Sequence, residues 1–143
     1  MYATRQDLVD RFGAAELTQL TDRVNRPAAV IDDTIVDRAL ADASALIDGY
    51  LTARYTLPLS PVPSSLTRVC CDLARFFLWG KAAEKDGPVD RANTAAIAWL
   101  RDVGRGTVQL VASTGAPAPE ASGGGISFGG APSVFSRDRL RRM

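Results

Sequence analysis

From Ser113 onward this chain loses the helical patterning that fills everything before it. Residues 113–125 are almost entirely Gly, Pro, Ala and Ser, the composition of a flexible spacer. The stretch that follows is different. It carries Ile126, Phe128, Val134, Phe135 and Leu140 among glycines, a proline and arginines. A purely solvating tail has no use for those apolar side chains, and the segment is too rich in Gly and Pro to bury them by itself. The pattern divides the chain into a folded body, 1–112, and an extended C-terminal arm, 113–143, that a partner orders.

Charge follows the same division. The body holds 13 Lys and Arg against 14 Asp and Glu, a net of −1. The arm sets Arg137, Arg139, Arg141 and Arg142 against Glu120 and Asp138, a net of +2. A near-neutral body is unlike a broad nucleic-acid surface. The arm is suited to a phosphate backbone or to an acidic protein groove. Its anchors would be Ile126, Phe128, Val134, Phe135 and Leu140 in apolar pockets, with Arg137, Arg139, Arg141 and Arg142 on acidic rims. Fully extended, residues 113–143 span about 100 Å.

The body reads as all-α. Thr4 and Asp7 open a short helix that Gly13 ends. A second short helix follows from Ala14 to about Leu20, with Leu17 and Leu20 on one side. Asp32 and Asp33 open the longest helix, expected to run to about Arg54. Its apolar face steps through Val36, Leu40, Ala43, Leu46, Ile47 and Leu51 at three- and four-residue intervals. Pro58, Pro61 and Pro63 then force an ordered, extended connector. Ser64 or Ser65 caps the next helix, which ends near Gly80. The last helix is expected from Val89 or Asp90 to Val103, with Ala92, Ala95, Ala96, Trp99, Leu100 and Val103 buried, stopped by Gly104 and Gly106. Thr107–Val111 alternates apolar and polar residues, so a short strand is expected there.

Nothing in this sequence announces a catalytic centre. There is no histidine, which removes the commonest general base, zinc ligand and nucleophile partner. The acids cluster at Asp32, Asp33 and Asp37 and at Glu84, Asp86 and Asp90. Helix capping and surface solvation account for both groups more simply than a bound cation. Gly123–Gly125 and Gly129–Gly130 lack the Lys-Ser/Thr ending of a phosphate loop. Cys70 and Cys71 are neighbours about 100° apart on a helix and read as buried, reduced thiols. Trp79, Trp99, Phe76 and Phe77 read as core or interface anchors. No cofactor, no metal and no enzymatic activity are expected. No apolar run approaches the ~18–20 residues of a membrane span, and the polar opening is unlike a signal peptide.

Four segments resemble one family. They are the opening Met1–Gly13, the block Ala39–Leu51, the run Arg54-Tyr55-Thr56-Leu57-Pro58-Leu59, and Val134-Phe135-Ser136-Arg137-Asp138-Arg139-Leu140. Together they resemble a family of small Mu-like phage and prophage proteins, itself similar to the head–tail connectors (adaptors, or head-completion proteins) of long-tailed phages. The resemblance implies a structural virion protein, made in the host cytoplasm and placed in the neck. It implies a homo-oligomeric ring, of twelve copies, under the portal protein. The ring would extend the channel through which genome DNA passes without sequence-specific binding, with no membrane involved. The C-terminal arm would dock on the portal, and the far side would meet a downstream neck or tail-completion protein. The alternative is a small helical adaptor or regulator outside any virion, using the same arm on a different partner.

Overall fold

The computed structural model describes residues 1–111. They form five α-helices: α1 (Arg5–Phe12), α2 (Ala14–Thr21), α3 (Asp33–Leu51), α4 (Ser64–Trp79) and α5 (Pro88–Arg105), with a 3₁₀ turn at Gly80–Ala82. The long helices α3, α4 and α5 pack mutually as a bundle, and the α1–α2 hairpin lies against α3 and α4. This is a small all-α body.

Local chemistry sets the helix ends. Thr4 and Asp7 make a reciprocal capping box at α1. Gly13, at φ 86°, closes α1 and opens α2 in one residue, a backbone angle that favours glycine. Asp32 caps α3 by accepting from the amides of Thr34 and Ile35. At α4 the expected serine cap is absent: Pro63 occupies the capping position and Ser64 begins the helix. The proline-rich connector 55–63 is not helical, as its prolines require.

α3 stops at Leu51 rather than Arg54, closing in a turn in which Arg54 and Tyr55 amides donate to the Leu51 carbonyl. Its buried line is Val36, Leu40, Ala43, Ile47 and Leu51. Leu46 lies beside that line and is only half-buried. α5 begins one residue earlier than expected, with Pro88 in its first turn, where a missing amide costs nothing.

Gly104 does not stop α5. It lies inside the helix, and a Cβ there would stand 2.9 Å from the Tyr50 carbonyl oxygen of α3. This glycine therefore serves the close approach of two helices. The stop is Gly106, left-handed at φ 83°, over which the amides of Gly106 and Thr107 return to α5 carbonyls.

The expected strand at 107–111 does not form, and no strand exists among the described residues. The in–out alternation is nevertheless real: Val108 is half-buried and Leu110 fully buried, while Thr107, Gln109 and Val111 are exposed. The segment lies along the bundle instead of in a sheet. The Leu110 amide donates to the Tyr55 hydroxyl at 3.2 Å, with isolated bridge positions at Tyr55 and Val111. Period-two burial needs only one apolar surface to lie on, whereas a strand needs a partner edge.

Candidate interaction site

Glu16 and Arg75 fasten the N-terminal hairpin to the bundle. Arg75 donates from Nε to Oε1 at 2.7 Å and from Nη2 to Oε2 at 2.9 Å, and Trp79 donates from Nε1 to the same Oε1 at 2.9 Å. The guanidinium also lies 4.4 Å from the centre of the Phe12 ring. Burial pushes the Glu16 carboxyl up, but the hydrogen bonds from Arg75 and Trp79 and the Arg75 charge outweigh it. The carboxyl is held below its ordinary range. Glu16 thus faces α4 from α2. Trp79, read from the sequence as a core or interface anchor, is half-buried and ties α4 to α2 through Glu16. Phe77, by contrast, is 38% exposed.

Two features of the described surface are suited to meeting a partner. The first is the loop 22–32 between α2 and α3. The Asp22 carboxylate accepts from the amides of Val24, Asn25, Ala29 and Val30 and from the Asn25 side chain, all within 2.9–3.1 Å. These bonds, led by that from Ala29, hold its carboxyl far below the usual aspartate range. The buried Thr21 hydroxyl donates to the Leu17 carbonyl and accepts from the Asp32 amide, tying the two ends together. Val24 and Val30 project from this loop, 89% and 63% exposed.

The second is a groove of about 330 Å³ between α4 and α5. Val69, Ala92, Ala95, Ala96 and Trp99 supply its apolar lining, with Ser65, Arg68 and Asp72 at its polar side. Small side chains on α5 make the hollow: Ala95, expected in the core, is exposed, and Ala92 and Trp99 are half-buried. Burial pushes the Asp72 carboxyl up in spite of Arg68, Arg11 and Arg75 nearby. Its ion-pair partner Arg68 sits at 3.9 Å, beyond hydrogen-bond distance.

The acidic clusters have structural occupations. Asp32 is a helix cap, Asp33 pairs with Arg5 at 2.7 Å, and Asp90 accepts from the Asp86 amide across a turn. No group of three or more metal-ligating side chains gathers among the described residues. No described helix is long and apolar enough to cross a membrane. Cys70 and Cys71 are free and fully buried, and burial raises both thiols, Cys71 to about 12. The arm residues Ile126, Phe128, Val134, Phe135, Arg137, Arg139, Leu140, Arg141 and Arg142 lie outside the described residues.

A loop at Arg23–Pro27 is expected from the sequence, but the Asp22 hydrogen bonds that hold it, the groove and the Glu16–Arg75–Trp79 clasp were not foreseen. Asp22 followed by Asn25 in a polar stretch is a turn signal that could have flagged that network. Glu16 and Arg75 are 59 residues apart and carry no local signal.

A helical body without a recognisable reaction centre defines a class, not a particular protein. Comparison with known proteins supplies the particular. The family described as Bacteriophage Mu, Gp36 matches residues 2–128, and the chain belongs to it. It is 39% identical over 137 residues to "Gene product J" of Escherichia phage Mu, covering 95% of this chain and 94% of that protein. It is 36% identical over 138 residues to "Mu-like prophage FluMu protein gp36" of Haemophilus influenzae, covering 96% and 94%. This is a Mu-like phage protein.

Proposed function

We propose that this protein is a non-enzymatic head–tail connector: a ring-forming subunit that sits under the portal and carries the DNA channel toward the next neck or tail protein. The observation that carries the reading is its near full-length kinship with gene products of phage Mu and a Mu-like prophage. The fold supports it. The described body is a helical bundle with two separate surface features, the 22–32 loop and the α4–α5 groove, and a ring needs two different faces on each subunit. The arm, 113–143, supplies the reach to another protein. Phe128, Val134, Phe135 and Leu140 serve as apolar anchors, and Arg137, Arg139, Arg141 and Arg142 as partners for an acidic rim.

The test is electron microscopy of the chain mixed with the portal protein of the same phage, beside a copy lacking residues 126–143. A ring added to the portal by the full chain alone supports a connector that works through its arm. A ring from both forms removes the arm from the mechanism. No added density from either form moves the protein out of the neck and favours an adaptor acting elsewhere.

A further inference from the structure

Loop 22–32 is built to present apolar surface to something. Its backbone is held by the Asp22 carboxylate and by Thr21, yet the two valines it carries, Val24 and Val30, face water. A segment ordered before contact gives up little freedom on docking. Its acids are turned inward, Asp22 to loop amides and Asp32 to the α3 amides. The charges left on its outer face are Arg23 and Arg26, both exposed. Arg23 and the exposed Phe77, near the C-terminal end of α4, line one shallow hollow together with Arg38 and Asp42.

The α4–α5 groove has the opposite character. It is concave and apolar at its floor, and Asp72 is half-buried there, with Arg68 at 3.9 Å and Arg11 and Arg75 also within reach of its charge. Burial disfavours the charged form of Asp72, and a guanidinium arriving from outside would restore it. The loop and the groove share no residue.

We propose that loop 22–32 of one subunit seats in the α4–α5 groove of a second copy of this chain, with Val24 and Val30 on the Val69–Ala96–Trp99 floor and Arg23 or Arg26 facing Asp72. The inference rests on the connector reading, because it names the head-to-tail contact that a ring requires. A loop-in-groove contact is head-to-tail, the kind of contact whose repetition makes a ring when the rotation between neighbours closes.

The test uses Val24→Cys and Ala95→Cys, alone and together, in the phage that encodes the full chain. Both positions are exposed, and the native Cys70 and Cys71 are buried, so a short bis-maleimide reports on the introduced thiols. In purified particles the double variant is expected to give a ladder of multimers on a denaturing gel, and each single variant only monomer. Particles that contain the protein but give no ladder overturn this contact and leave the connector reading standing. Dimers from Val24→Cys alone overturn it in favour of a two-fold contact. Absence of the wild-type protein from the particles overturns the connector reading and this inference with it. Val24→Asp, which leaves the core untouched, is expected to abolish incorporation into particles, and normal incorporation counts against the proposal.

Discussion

Arg75 on α4 grips Glu16 on α2 through two parallel hydrogen bonds of 2.7 and 2.9 Å, with Phe12 of α1 beneath its guanidinium. One side chain thereby holds both short helices on the bundle. Both partners are less than a quarter exposed, so solvent screens the pair only partly. Arg75→Ala is expected to cost about 1.5–3 kcal/mol, and Glu16→Gln about 1 kcal/mol because it keeps an acceptor for Trp79. Thermal unfolding followed by circular dichroism measures both. The Glu16 carboxyl is lowered in the folded state, so its contribution is complete above its ordinary value of 4.5 and is lost as pH falls below it. Wild type should therefore lose its advantage over Glu16→Gln in acid.

Gly104 and Gly106 separate two uses of glycine. In an open helix, Gly→Ala stabilises by up to about 1 kcal/mol. Gly104→Ala is expected to destabilise instead, since its Cβ would meet the Tyr50 carbonyl at 2.9 Å and two backbones would have to part. Gly106→Ala meets φ 83° and the Arg54 guanidinium at 1.6 Å. The side chain can move aside but the backbone strain remains, at about 1–2 kcal/mol. A rise in melting temperature for Gly104→Ala would contradict the close crossing of α3 and α5.

Ile47 is fully buried on the inner face of α3, and Leu46 beside it is not. Ile47→Val is expected to cost about 0.5–1.5 kcal/mol and Ile47→Ala about 2–5 kcal/mol. Urea titrations of the two variants and of Leu46→Ala should rank Leu46→Ala below Ile47→Ala.

Cys70 and Cys71 should resist alkylation in the native protein and react once it unfolds. Both thiols are raised by burial, Cys71 from 9.0 to about 12, and neither is exposed. Stability that depends on a neutral thiol is complete below its ordinary value and declines as pH rises through the folded one. The melting temperature should accordingly fall between pH 9 and pH 12, and less so in Cys71→Ala relative to its own neutral value. Rapid labelling by iodoacetamide under native conditions would contradict this burial.

Truncation after Val111 should leave the body folded. The described core closes with Leu110 on the bundle. Helicity and melting temperature of residues 1–111 are expected to match the full chain, and a loss of cooperative unfolding would show that the arm belongs to the fold.

Each long helix was legible from its own stripe of apolar residues, because three- and four-residue spacing is a local property of one helix. Thr4, Asp32 and Gly106 mark ends for the same reason: a cap or a left-handed stop acts on amides and carbonyls within a few residues. That the connector 55–63 is not helical follows from proline sterics. Other features depended on what each segment meets. Gly104 read as a helix stop until Tyr50 supplied its reason to be glycine. Thr107–Val111 alternates like a strand, but no edge is offered to it, and the bundle takes its apolar side instead. Ala95 fits the buried stripe of α5, yet it opens onto a groove because the side chains around it are small. Glu16 reads as a solvated acid until Arg75 and Trp79 come within hydrogen-bond reach. The sequence by itself determined the helical class of the described residues, which is written in short-range periodicity. The tertiary structure alone decided which side chains meet, because contacts between residues 59 positions apart exist only after the helices have packed.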